Sequence, residues 1–171
     1  MSKIYLHINT TGDCFDDDKI ESISALMVNH ANEIQDYFYE DIQEYACPSF
    51  NRQYHFKDCT VDKLIIANDF MDKLNGFKEF IQDEVLISHY KYFEYEFLRR
   101  AMKFAGLSMI KNEWIDLQEN FIVQNNFGGD IYDIAKKLKL SFNENNNFFS
   151  VVNAVSDLHN RMLNWQVKKF K

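Results

Sequence analysis

KIYLHINTTG, residues 3–12, is the stretch on which the fold turns. Ile4, Leu6 and Ile8 alternate with Tyr5, His7 and Asn9, the two-residue period of a β-strand, and Thr10-Thr11-Gly12 supplies the turn that ends it. An acidic loop follows at 13–18, and then IESISALMV (20–28) reads as a second, mostly buried strand. Residues 33–42 give a third strand, and Pro48 stops regular structure near it. Residues 43–60 read as irregular. From Val61 onward Leu64, Ile65, Phe70, Leu74, Phe77 and Ile81 recur at helical spacing, with Gly76 expected to break or kink the helix. VLIS (85–88) is a short strand of the buried type. A helix over 93–105 places Phe93, Phe97, Leu98, Ala101, Met102 and Ala105 on one side, with Gly106 at its C-cap. EWIDL (113–117) reads as a strand and 130–139 as a short helix. NENNN (143–147) is a loop, and a last helix runs from about 149 to 167. Strands interleaved with helices and no internal repeat define one α/β domain over 1–171, a sheet covered by helices.

Charge distribution restricts the partners. Residues 1–60 hold eleven Asp/Glu against four Lys/Arg, which accounts for the whole net charge of −7, while the fifteen acidic and fifteen basic residues beyond cancel. A protein that grips nucleic acid by its phosphates presents a basic face. Here such a face has to come from Arg99, Arg100 and Lys103, from Lys136, Lys137 and Lys139, or from Lys168, Lys169 and Lys171, each of which also reads as a solvated helix face. Cys14, Cys47 and Cys59 are odd in number and lack CxxC spacing, against a disulfide framework or structural zinc. The N-terminus shows no apolar core or cleavage-like site, and no run approaches a membrane span of about 20 apolar residues. The expectation is a soluble cytoplasmic protein with no membrane contact.

Four segments carry the candidate chemistry: HINTTG (7–12), HYKYFEYEFL (89–98), WIDL (114–117) and VNAVSD (152–157). Their order and spacing resemble the DEDDh 3′-to-5′ exonucleases from Lys3 to about Leu163. That resemblance implies an RNase H-like fold, with a mixed central sheet of about five strands flanked by helices. It also implies hydrolysis of a 3′-terminal phosphodiester by two divalent ions. Such ions sit on both sides of the phosphate and call for converging carboxylates, with a histidine as general base for the attacking water. In the family the first motif runs Asp-x-Glu-Thr-Thr-Gly, the middle one roughly His-Asn-x-x-Phe-Asp-x-x-Phe-Leu, and the last His-x-Ala-x-x-Asp.

This chain keeps Thr10, Thr11, Gly12, His89, Phe93, Phe97, Leu98, Asn153, Ala154 and Asp157, and Asp116 matches a family aspartate that is not a principal ligand. Where the resemblance places metal carboxylates, it has His7, Asn9 and Glu94, and only Asp157 is unchanged. The general-base position is Val152. No catalytic set is intact. With His7 and Asn9 neutral, the four ligand positions carry −2 instead of −4, too little for two Mg²⁺ ions, and Val152 accepts no proton.

Two outcomes stay open for these residues. His7, Glu94 and Asp157 form a vestigial one-metal site for Mg²⁺, Mn²⁺ or, given the nitrogen ligand, Zn²⁺. Otherwise, and this is the main expectation, no cofactor binds and His7 pairs with Glu94 or Asp157. Thr10, Thr11, His89 and Phe93 are candidates for weak contact with single-stranded nucleic acid 3′ ends. Tyr90, Tyr92, Phe93 and Tyr95 are further candidates for stacking on a base. The leading expectation is a catalytically inactive nucleic-acid- or protein-binding module. A protein partner, a second copy included, stands beside nucleic acid as the ligand, and an active exonuclease with atypical ligands is the alternative.

Overall fold

A computed structural model describes residues 2–42, 61–119, 130–140, 142 and 149–169, with the side chains of 61–68 and 166–169 left out. The expectations for Pro48, for 43–60 and for 143–147 lie outside the described residues. The elements are β1 (Lys3–Thr10), β2 (Ile20–Val28), β3 (Ile34–Asp41), α1 (Val61–Ile81), β4 (Val85–Ser88), α2 (Lys91–Phe104), β5 (Trp114–Asp116), α3 (Ile131–Leu138) and α4 (Ser150–Lys169). The sheet has the order β3-β2-β1-β4-β5. β1 pairs antiparallel with β2 and parallel with β4, so the sheet is mixed and β1 is its centre. The five-stranded α/β architecture expected from the sequence is the one observed.

Alternation along β1 sends its side chains into two separate cores. Ile4, Leu6 and Ile8 pack with Phe70, Leu74, Phe77 and Ile81 of α1 and with Phe97, Leu98, Ala101 and Met102 of α2. Tyr5 faces the other way and packs with Ile131 and Ile134 of α3 and Val152, Val155 and Leu158 of α4. A sheet covered on both faces explains why Tyr5, which reads as polar in the alternation, is fully buried. His7 and Asn9 lie on the same side of the strand as Tyr5, beyond it toward the C-terminal end.

One expectation is corrected. Gly76 does not break α1, which runs unbroken from Val61 to Ile81. Burial of Leu74, Phe77 and Ile81 along one stripe outweighs the roughly 1 kcal/mol helix penalty of a glycine. The position is used for packing, since the Phe38 ring comes within 3.8 Å of where a side chain would begin. Gly106 does cap α2 as expected, at a φ of 69° that disfavours other residues.

Candidate functional site

The site lies where β1, β4 and the start of α2 meet. The Thr-Thr-Gly turn is held by the chain itself. Thr10 Oγ1 donates to the Gly12 carbonyl (2.7 Å), and Thr11 Oγ1 donates to Asp18 Oδ1 (2.9 Å). Asp18 Oδ2 accepts the Cys14 N–H (2.8 Å). A Cβ at Gly12 would lie 2.5 Å from the Asp18 carboxylate, which would have to swing away and give up its bonds to Thr11 and Cys14. The retained threonines and glycine therefore close the loop, and both threonine hydroxyls are donated within it.

His7, Asn9 and Glu94 come together. The register sets Asn9 opposite Ser22, whose hydroxyl accepts from Asn9 Nδ2 at 2.8 Å. That orientation turns Asn9 Oδ1 toward His7, whose Nε2 donates to it at 3.2 Å. His7 Nδ1 then faces Glu94 Oε1 at 3.6 Å, close enough for an ion pair and too long for a direct hydrogen bond. Glu94 is only 3% exposed. Burial pushes its carboxyl above the ordinary value of 4.5, and the His7 imidazole pulls it partly back. The ring is thereby placed to offset charge on the buried carboxyl.

Asp157 is half-buried on α4, the helix that packs across β1. Val152, at the general-base position, is fully buried in the core with Tyr5 and Ile87. Asn153 and Asp157 are one helical turn apart on one face, whereas Val152 belongs to the core face. Among the described residues no three His, Cys, Asp or Glu side chains are arranged to hold a metal ion. Two hard cations need converging anionic oxygens, and this donor set of one imidazole, one committed amide, one buried glutamate and one aspartate does not fit them.

Further residues shape the site, some of them with no readable signal in the sequence. Ser22 fixes Asn9 and is visible only once the register is known. Asp116 Oδ1 accepts the N–H groups of Gln118 (2.8 Å) and Glu119 (3.2 Å), turning the chain after β5. Burial raises the Asp116 carboxyl, with the backbone donors opposing it. Ser88 Oγ, His89 Nε2, Glu94 Oε2 and Gln118 Oε1 are buried without a partner among the described residues. The His89 carbonyl accepts from the Gln118 N–H (2.9 Å), tying the end of β4 to β5. Phe93 packs its ring against Phe15 and Phe97. Tyr95 packs edge-on against Trp114.

No family profile and no curated protein matches this chain. Solved structures do. The nuclease domain of 3′hExo, a DEDDh family member bound to rAMP, superposes with a TM-score of 0.62 at 13% identity, covering 95% of this chain and 92% of that one. The fold is RNase H-like, of the exonuclease type. Product-bound exonuclease I gives a TM-score of 0.61 at 10% identity, covering 98% of this chain and 46% of its own. E. coli exonuclease I in complex with a dA16 oligonucleotide gives 0.58 at 10%, with 98% and 43% covered. The chain thus spans less than half of exonuclease I. On this exonuclease-type fold the observed His7–Glu94 pair occupies positions that the motif resemblance assigns to metal carboxylates.

The buried histidines set an acid limit to the fold. Burial holds His89 down from 6.5 to about 4, with the nearby His7 adding to the effect. Burial likewise holds His159 at about 4, with its Nδ1 hydrogen-bonded to the Tyr5 hydroxyl at 3.0 Å. A depressed histidine binds its proton more weakly folded than unfolded. Its neutral form favours the fold above pH 6.5, and that contribution is lost as pH falls from 6.5 toward 4. Each site accounts for on the order of 2–3 kcal/mol. His89→Gln/His159→Gln is expected to flatten the fall of stability between pH 6.5 and 4, read by urea unfolding at stepped pH. An unchanged slope would show that these rings are protonated in the fold.

Proposed function

We propose that this chain is an exonuclease-fold domain that binds without hydrolysing, a non-catalytic module for a nucleic acid 3′ end or a protein partner. One observation carries the reading. His7 is held by Asn9 and faces buried Glu94, so two of the positions assigned to metal carboxylates are turned toward each other as a ring nitrogen and a carboxyl. Fully buried Val152 supports it, because nothing at that position accepts a proton from water. The loss of a general base alone removes about 10²- to 10⁴-fold in rate. An exposed, free Cys14 thiol suits a reducing compartment, and the cytosol is the location proposed.

Purified protein incubated with 3′-labelled single-stranded DNA or RNA and Mg²⁺ or Mn²⁺ is expected to release no terminal nucleotide above the metal-only background. Metal-dependent release that disappears in Asp157→Ala would overturn the reading. It would support instead an active enzyme using a single Mn²⁺ or Zn²⁺ among His7, Glu94 and Asp157. One feature favours that second reading. His7 gives its Nε2–H to an amide carbonyl, as metal-ligating histidines give their second nitrogen to an orienting acceptor.

A further inference from the structure

The start of α2, beside His89, carries two tyrosines that the fold does not bury. Tyr90 is 44% exposed and Tyr92 is 56% exposed, at the first turn of α2 directly after His89. Their ring centroids lie 6.2 Å apart with a 43° tilt. Phe15, from the acidic loop, meets Tyr92 edge-on at 5.6 Å and 88°, and is itself seated on Phe97 at 5.1 Å and Phe93 at 5.9 Å. The pair is therefore backed by core aromatics, so little side-chain freedom remains to be lost on binding.

The charge beside these rings decides what they suit. Asp13, Asp16 and Asp17 flank Phe15 in sequence and are exposed. Asp18 is committed to Thr11 and Cys14, and Asp17 Oδ2 lies 3.5 Å from Cys14 Sγ. Lys91, between the two tyrosines, is the basic side chain of this patch. The two arginines next along α2 are engaged. Arg99 pairs with Glu96 at 2.8 Å, and Arg100 donates to the Asp16 carbonyl at 3.1 Å, which pins the loop and leaves the carboxylate outward. A phosphate backbone meets net repulsion here. A guanidinium meets attraction twice, since its plane stacks on tyrosine and its edge donates to a carboxylate.

We infer that Tyr90, Tyr92 and the Asp13, Asp16 and Asp17 carboxylates dock an arginine-bearing segment of a protein partner. The inference rests on the reading of this domain as a binding module and gives the chemistry of what is bound. The charge complementarity selects the occupant. A second copy of the chain would bring the same acidic loop and net charge of −7 to the contact, and a nucleic acid strand would bring phosphates.

The test uses the full chain and fluorescence anisotropy with four labelled probes: a decapeptide alternating arginine and glycine, its lysine and glutamate counterparts, and dT12. The arginine peptide is expected to bind most tightly and to weaken with salt, with the glutamate peptide and dT12 not binding. Tyr90→Ser/Tyr92→Ser is expected to weaken the arginine peptide about tenfold, from two cation–π contacts, with an unchanged melting temperature. Asp16→Asn/Asp17→Asn is expected to weaken it several-fold. Equal binding by the tyrosine double variant, or equal affinity for the lysine peptide, would overturn the inference in favour of general acidity. No binding of the arginine peptide at millimolar protein would also overturn it. Preference for dT12 with loss in the tyrosine variant would assign the rings to nucleobases instead. None of these outcomes depends on nucleotide release, so failure of the non-hydrolytic reading and failure of this one are separately visible.

Discussion

Replacing His7 by leucine is expected to destabilise the protein by about 3 kcal/mol at pH 8 and by far less at pH 5. The leucine leaves Glu94 Oε1 facing hydrocarbon, while Oε2 already lacks a partner among the described residues. Burial raises the Glu94 carboxyl, and His7 is the largest influence opposing that rise. Removing it lifts the folded value further. An acid whose folded value is raised favours the fold while protonated, so stability falls as pH climbs from 4.5 through the folded value. The pH-dependent part of the loss is the signature of an uncompensated buried carboxylate, and urea unfolding at the two pH values reads it. Adding Glu94→Leu should return most of the loss, because apolar replacement of both members of a buried pair is often neutral. A loss equal at both pH values would mean that the pair is not electrostatically coupled.

The second large effect comes from putting carboxylates back. His7→Asp/Asn9→Glu sets two new acids beside Glu94 and removes the imidazole that offsets it. In chelator the variant is expected to melt several degrees below the unaltered protein, since like charges beside the buried Glu94 carboxyl repel. Millimolar Mn²⁺ is expected to reverse this. A ligand present at about 100 times its dissociation constant adds about 2.7 kcal/mol, which for a chain of this length raises Tm by roughly 5–10 °C. Nucleotide release should still be absent, because Val152 remains in the core and supplies no base. A reverted protein whose melting ignores Mn²⁺ would show that these positions do not face one cation site.

Much of this was legible in the sequence because it rests on periodicity. The alternation of Ile4, Leu6 and Ile8, the apolar run VLIS, and the Phe97, Leu98, Ala101 and Met102 stripe of α2 each specify an element through burial that the structure shows. Gly76 was misleading because local propensity favours a break there, whereas the α1 stripe packs on the sheet through it. The candidate site was legible as a set of substitutions but not as a network. Ser22 is one of several serines until register sets it opposite Asn9. The near-complete burial of Glu94 and the outward rings of Tyr90 and Tyr92 depend on how α2 leaves β4. The Tyr5–His159 bond joins residues 154 apart in the chain, beyond any local pattern. The basic stretch at Arg99 and Arg100, a candidate phosphate grip in the sequence, is engaged by Glu96 and the Asp16 carbonyl.

Thermal melting of the unaltered protein, followed while Mg²⁺ and then Mn²⁺ are raised to the millimolar range at pH 7.5, bears most directly on whether His7 and Glu94 face each other without a metal. The expected result is a melting temperature that does not move, identical in chelator and in either cation. A saturable rise of several degrees, abolished by Glu94→Gln or Asp157→Asn, would contradict it.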